Sequence, residues 1–261
     1  MGDRKSSKQP INHIRKHLKF VINASQELKD ESYCQVLKQI TSHPDYDKCI
    51  RGWNFLAIMA ASFAPSVELY YSLLHFLHNE VKTSSDENIK KHANYTFARL
   101  VHSFENKRRQ IPSDEEILHI EHMKPIMFPI YFLSDTHTLV PTESYTTVKD
   151  LKTTIMRKIQ FNVARIPYYC LYEICHKKDT IEERFLEDSD KIVDIVALWD
   201  KEKDEYMKRN EVIEFKIYLK IQLFYNYNET DNDTITMIYV QVNKSCFIHR
   251  QCMRSLQEGS T

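Results

Sequence analysis

Glycine is almost missing from this chain: three occur in 261 residues, at Gly2, Gly52 and Gly259. A loop that cradles phosphate needs two or three glycines within one turn, so that backbone N–H groups approach the anion with no Cβ in the way. Neither a Walker-type loop nor a dinucleotide fingerprint can be built from so few. The G-x-S-x-G elbow of serine hydrolases is also absent, and the serine, cysteine and histidine residues form no nucleophile pattern. No enzyme is expected, and no cofactor. Long apolar runs are missing too. The longest, FLAIMAASFA (Phe55 to Ala64), is about half of what a bilayer crossing needs. No apolar signal-peptide core follows the hydrophilic start, so an intracellular, cytoplasmic chain without a transmembrane span is expected. On that reading the N-x-[ST] matches at Asn23, Asn94, Asn228, Asn232 and Asn243 carry no weight.

Excess charge of one sign is a further absence. Lys and Arg total 36, as do Asp and Glu, which argues against a nucleic-acid binder or a general membrane binder. The distribution says more than the total. From Asp3 to Lys19 there are Arg4, Lys5, Lys8, Arg15, Lys16 and Lys19 against Asp3 alone, whereas Asp179 to Glu205 holds eleven acidic residues against Arg184, Lys191, Lys201 and Lys203. One end offers a basic face and a later segment an acidic one. The six cysteines (Cys34, Cys49, Cys170, Cys175, Cys246, Cys252) include no C-x-x-C pair. CLYEICH gathers Cys170, Cys175 and His176, but its alternation reads as a strand and no second ligand pair follows at zinc spacing. Reduced structural thiols are expected, and EEILHIEHM (His119, Glu121, His122) reads as solvated linker. No metal site is expected.

What is present in the first half is helical periodicity. Ile11, Ile14, Leu18, Val21 and Ile22 share one face, with His17 at its edge. A second helix is expected from near Lys29, burying Tyr33, Val36, Leu37 and Ile40. Arg51 to Phe63 is apolar nearly all round and reads as a central bundle helix with Trp53 in the core. Pro65 suits a first helical position ahead of Val67, Leu73 and Leu77. Ser84 and Glu87 read as a capping box for a fifth helix through Phe97 and Leu100. ENKRRQIPSDEEI then reads as a charged link.

Beyond it the texture changes to strand (Ile126 to Phe132), turn, return strand (Thr138 to Val140), a helix capped by Thr147 and Asp150, and strand (Tyr168 to Ile174). That is the order of a ubiquitin-like roll. Later come a helix from about Asp190, a strand-like EFKIYLKIQLFY after Glu211, and a short helix carrying Ile238, Tyr239 and Val242.

ELKDESYCQVLKQIT (Glu27 to Thr41), followed by RGWNFLAIMAASFAPSVEL (Arg51 to Leu69), strongly resembles the myosin tail homology 4 domain. The matching positions are Glu27, Leu28, Asp30, Glu31, Tyr33, Gln35, Gln39, Arg51, Gly52, Trp53, Phe63, Pro65 and Ser66. An R-x-x-P-S-x-x-E-I link (Arg109, Pro112, Ser113, Glu116, Ile117) then leads into what resembles the start of a FERM domain. The resemblance implies an α-helical bundle domain over 1–115, a linker at 116–124, an α+β ubiquitin-like (β-grasp) lobe over 125–208 and an incomplete helical lobe over 209–261. EFKIYLKIQLF and MIYVQV resemble the opening of that second, acyl-CoA-binding-protein-like lobe.

The tandem is known from unconventional myosin tails of the class seven, ten and fifteen types, from a plant kinesin-like protein and from motor-less adaptors. It implies a non-catalytic, cytoskeleton-associated binding module that contacts microtubules and cargo or receptor tails, with any actin-based motor head in a longer chain. The basic residues Arg4, Lys5, Lys8, Arg15, Lys16 and Lys19 are the candidates for contact with acidic tubulin tails. Two alternatives stand beside this. One is a motor-less or kinesin-type adaptor with the same tandem. The other is a myristoylated signalling adaptor, because MGDRKS fits M-G-x-x-x-[ST]. The family's helical domain continues upstream of its own M-G-D. A chain cut at both ends is therefore expected, with apolar surface uncovered and a tendency to aggregate.

Overall fold

The computed structural model describes residues 7–105, 108–134, 136–160, 163–178, 180–222 and 235–243. They fall into two compact units. The first comprises the described residues up to Ile126 together with Thr142–Thr146 and Lys191–Glu202; the second holds Met127–Pro141, Thr147–Asp190 and the described residues from Lys203 onward.

The first unit is built from α1 (Pro10–Val21), α2 (Gln26–Ile40), α3 (Tyr46–Ser62), α4 (Val67–Thr83), α5 (Glu87–Glu105) and α6 (Asp114–Glu121). Its core is centred on α3, where Leu56, Ile58, Met59 and Ala60 are fully buried, as the unbroken apolar run requires. Trp53 stacks on Phe76 at 5.8 Å between ring centroids. Helix starts are fixed by side chains that accept from otherwise orphaned N–H groups, among them Asp45 from Lys48, Ser66 from Leu69 and Ser113 from Glu116.

Several local expectations shift. α2 begins at Gln26, a turn before Lys29, with Glu27 in its first turn. α3 begins at Tyr46, because Asp45 caps it. Pro65 lies before the cap of α4 rather than inside the helix. The expected Ser84–Glu87 box is replaced by Asp86, whose carboxylate accepts from the backbone N–H of Asn88 (2.7 Å) and Ile89 (3.3 Å). The stretch read as charged, solvated linker contains helix α6. Its Ile117 and Ile120 join the same core as Leu18 and Trp53.

The second unit contains β1 (Ile126–Tyr131), β2 (His137–Thr142), α7 (Val148–Lys158), β3 (Tyr169–His176), β4 (Ile181–Phe185) and β5 (Glu214–Ile221). α7 opens on the expected capping box of Thr147 and Asp150. The sheet order is β2-β1-β5-β3-β4. β1 runs parallel to β5, with Ile130 opposite Ile217, and β3 is antiparallel to both β5 and β4. This is the mixed sheet of a ubiquitin-like lobe.

The sheet corrects one expectation. EFKIYLKI resembles the opening of a second lobe, yet β5 lies between β1 and β3, at the centre of this lobe's own sheet. Without it the N–H and C=O groups of both neighbours would lack partners. In β5 the alternation is regular: Ile217, Leu219 and Ile221 are buried, and Lys216, Tyr218 and Lys220 are half-buried. Residues 235–243 form the expected short helix. Its Gln241 side chain both donates to the Ile221 carbonyl and accepts from the Ile221 N–H, each at 2.8 Å, and so closes the end of β5. The remainder of the expected incomplete helical lobe lies outside the described residues. α8 (Ile192–Lys208) buries Ile192, Val193, Ile195, Ala197 and Trp199, and the division between the units falls within it, after Glu202.

Candidate functional site

The basic face expected at the start of the chain is carried by α1. Pro10 occupies the first helical turn, where its missing N–H costs nothing. Leu18 and Val21 are buried on one side, and Lys8, Arg15, Lys16 and Lys19 are exposed. Arg4 and Lys5 lie outside the described residues. From Ser7 to Gln26 the sequence contains no acidic residue, so this surface is uninterrupted by its own counter-charges. Arg15 is paired from another element: its Nη1 lies 2.9 Å from an Asp114 carboxylate oxygen on α6, with both side chains about half exposed. Such a pair contributes at most about 1 kcal/mol and can be traded for an external carboxylate. Phe20, 69% exposed, adds an apolar contact beside Lys19. His17 lies at the buried edge of α1, edge-on to Phe55 at 5.3 Å between centroids. Its Nε2 has no hydrogen-bond partner among the described residues, and burial lowers its pKa below the ordinary 6.5.

The motif residues occupy a different place. The Asp30 carboxylate accepts from the Ser66 N–H at 2.8 Å and from the Gln26 amide at 3.2 Å, and Gln26 also donates to the Ala64 carbonyl at 3.3 Å. The Tyr33 hydroxyl donates to the Phe63 carbonyl at 2.6 Å, with the two rings edge to face. Together these groups staple α2 to the Phe63–Ser66 turn between α3 and α4. Pro65, Gly52 and Trp53 are buried, while Glu27, Glu31, Gln35 and Arg51 are exposed or nearly so, with Gln35 donating to Glu31 at 2.5 Å. The same turn walls an open cavity of about 570 Å³ whose lining includes Ile22, Lys29, Phe104 and Arg108.

Two buried arginines were not foreseen from the sequence. The Arg108 side chain is fully buried. It makes a forked contact with the Glu116 carboxylate at 2.5 Å on both arms, and its Nε lies 2.7 Å from the Gln110 carbonyl and 3.1 Å from Asp194. Asp194 in turn accepts from the N–H groups of Arg109 (3.0 Å) and Gln110 (3.2 Å). Burial alone would pull the Arg108 pKa down, but the two carboxylates outweigh it and hold the guanidinium charged. Arg99 pairs with Glu143 and lies over the Tyr95 ring, 3.2 Å from its centroid. Burial pushes the Tyr95 phenol up to about 12. The one clue available beforehand was the run of Arg108, Arg109 and Glu116 around Pro112, which read equally well as a solvated link.

The thiols do not converge. Cys170 and Cys175 are both buried on β3, five positions apart and hence on opposite faces. Among the described residues no group of three or more His, Cys, Asp or Glu side chains could hold a metal. No described helix is long and apolar enough to cross a membrane.

Comparison with known proteins gives these features a context. Residues 14–119 match the MyTH4 domain model and residues 124–223 the RA like domain model. Myosin-VIIa of Drosophila melanogaster is 27% identical over 244 residues, covering 90% of this chain and 10% of that protein. The kinesin-like protein KIN-14I of Oryza sativa subsp. japonica is 26% identical over 245 residues, covering 89% of this chain and 19% of that protein. Among solved structures, a mutant MyTH4-FERM MF1 domain of Dictyostelium discoideum myosin VII aligns with a TM-score of 0.76 at 22% identity, over 91% of this chain and 49% of that one. The chain thus spans between a tenth and a fifth of these motor proteins, and about half of the solved MyTH4-FERM chain. The helical unit and the mixed sheet follow each other as the two family models do, a MyTH4 domain match followed by an RA-like domain match.

Proposed function

We propose that the chain is a non-catalytic cytoskeletal binding module of the kind found in unconventional myosin tails, and that the α1 surface docks on acidic protein segments such as tubulin tails. The observation that carries this reading is the exposure of Lys8, Arg15, Lys16 and Lys19 around a helix with no acidic residue of its own. Long lysine and arginine side chains on a rigid helix can follow a flexible acidic tail, each contact being weak and screened by salt. Capture of cargo or receptor tails is the second part of the proposal, supported by the MyTH4 and RA-like pairing. The kinesin-like relative shares that pairing over most of this chain and supports the microtubule side.

Co-sedimentation with microtubules across a salt series tests the first part. Binding is expected at low salt and should fall steeply toward physiological ionic strength. The double variant K16E/K19E should weaken low-salt binding by about tenfold. Binding undiminished by salt, or indifferent to the two reversals, would sink the electrostatic reading.

A further inference from the structure

Among the described residues β4 is an edge strand: it pairs with β3 on one side only, and all five of its residues, Ile181 to Phe185, are exposed. Exposed edges with free N–H and C=O groups are ordinarily blunted by lysine, proline or a bulge. IEERF carries none of these three; its short length and its charges, Glu182, Glu183 and Arg184, are what guards it, and each of those charges is paired within the chain.

Which of its backbone groups are free follows from the pairing with β3. The Leu186 N–H donates to the Leu171 carbonyl at 3.0 Å, and the Lys177 N–H to the Thr180 carbonyl at 2.9 Å. In an antiparallel ladder the hydrogen-bonded pairs recur at every second residue. Glu182 and Arg184 therefore turn their main-chain groups toward β3, and Ile181, Glu183 and Phe185 turn theirs outward.

Read against its own reverse, the strand is complementary. With Glu183 on a twofold axis, Ile181 faces Phe185 of a second copy, Glu183 faces Glu183, and Phe185 faces Ile181. Every outward N–H and C=O then finds a partner. Between these pairs Glu182 lies opposite Arg184 of the second copy, and the symmetry repeats the contact. These are non-hydrogen-bonded positions, where side chains come closest. Both side chains are more than half exposed, 61% for Glu182 and 54% for Arg184. Their internal partners, Lys177 and Glu173, leave donors and acceptors to spare. The like charges on the axis are each neutralised, since Glu183 lies 2.6 Å from the Lys220 ammonium of its own chain.

The side chains on the open face add to this. Tyr131, Tyr218, Tyr172 and Phe185 stand in register across β1, β5, β3 and β4. Phe185 packs edge-on against Tyr172 at 5.6 Å and Tyr131 lies 5.6 Å from Tyr218. At the end of this row Phe185 is 50% exposed, and Ile181 is 58% exposed. In the paired arrangement each Phe185 abuts the other copy's Ile181, and the apolar row continues across the join.

We propose that β4 is a self-pairing edge, through which two copies of this chain join their sheets about a twofold axis at Glu183. The occupant is a second copy because the charge and apolar patterns match only in that antiparallel register. A five-residue strip is well below the area of a stable dimer interface. The association is correspondingly weak, on the order of 10 to 1,000 μM, and matters where copies are held at high local concentration.

Sedimentation equilibrium of the full chain at rising concentration tests it. A reversible dimer is expected. Glu183→Pro removes the outward N–H on the axis but none that β3 uses, so the chain's own sheet tolerates it; dimerisation should fall below detection. Glu182→Arg places arginine opposite Arg184 at both ends, and should weaken association by about tenfold. Hydrogen exchange gives a reading that needs no variant: the amides of Ile181, Glu183 and Phe185 should gain protection as concentration rises. Should E183P fail to fold, E182R and the exchange data decide. A chain monomeric at roughly millimolar concentration, or a dimer indifferent to E182R with unprotected β4 amides, overturns the proposal.

Discussion

Replacing Arg108 with methionine should be among the most damaging single changes in the helical unit. The substitution keeps the volume but removes the cation that faces Glu116, whose side chain is 2% exposed, and Asp194, at 12%. Glu116 would be left charged and dry, or forced to take up a proton. Removing one member of a buried pair typically costs about 3–5 kcal/mol, because the survivor keeps its desolvation penalty without the compensating attraction. That is a large fraction of the ~5–15 kcal/mol that holds a domain together. Urea unfolding followed by tryptophan fluorescence is a clean assay, since both tryptophans, Trp53 and Trp199, belong to this unit. The double variant R108M/E116L should recover most of the loss, ending within about 2 kcal/mol of the parent, because Glu116 is no longer stranded and Asp194, at 12% exposure, keeps the N–H donors of Arg109 and Gln110. A cost below about 1 kcal/mol for R108M, or a double variant worse than the single, would refute the reasoning. So would a loss that disappears in high salt, since a pair this buried is barely screened.

The helices of the first unit were legible because their periodicity is strong and local. Leu18 and Val21, Tyr33 and Val36, and Leu73 and Leu77 each recur at helical spacing, and all of them are buried. Tyr33, Phe63 and Asp30 were legible as a set only through the family motif. Their bonds span 30 to 36 residues, and no spacing rule connects them. Buried charge was illegible for the same reason. Arg108 and Asp194 meet across 86 positions, as do Arg99 and Glu143 across 44, so composition gave each residue the look of a solvated side chain. Helix α6 was hidden by its acidic first turn, Asp114 to Glu116. Those charges complement the helix amino terminus, and Glu116 also neutralises Arg108.

β5 shows a different failure. Its alternation marks a strand, but pairing partners are a property of topology, and a strand that follows a helix can open a new lobe or complete the old one. Register decided it: Leu171 faces Leu219 and Ile130 faces Ile217, so β5 fills the gap between two strands already in place. The basic surface of α1 was legible as charge and as one face of a helix, whereas the Arg15–Asp114 contact required the fold. The symmetry of IEERF could be read in the letters, but only the ladder to β3 shows which of its backbone groups are free.

Two further predictions rest on single side chains. His17 should make the helical unit weaker in mild acid. Its folded pKa lies below the ordinary 6.5 because burial disfavours the cation, so the unfolded chain takes up the proton first, and stability present above pH 6.5 is lost as pH falls through the folded value. His17→Phe keeps the ring contact with Phe55 and should flatten the fall in melting temperature between pH 7 and 5.5; an unchanged slope would exclude His17 as its source. Met123→Gly turns on the scarcity of glycine. Ser42, Met123, Gln160 and Asn210 all hold positive φ just past the ends of α2, α6, α7 and α8, where glycine would be at ease. At α6 the motif is complete: the Lys124 N–H donates to the His119 carbonyl at 2.9 Å and the Met123 N–H to that of Ile120 at 3.0 Å, with Met123 at φ 51°. A side chain costs about 1–2 kcal/mol in that conformation. Glycine in the unfolded chain gives back roughly 0.5–1 kcal/mol through its greater freedom. The net expectation is a gain of about 0.5–1 kcal/mol in urea unfolding. A loss would mean that the Met123 side chain contributes packing worth more than the strain it imposes on the turn.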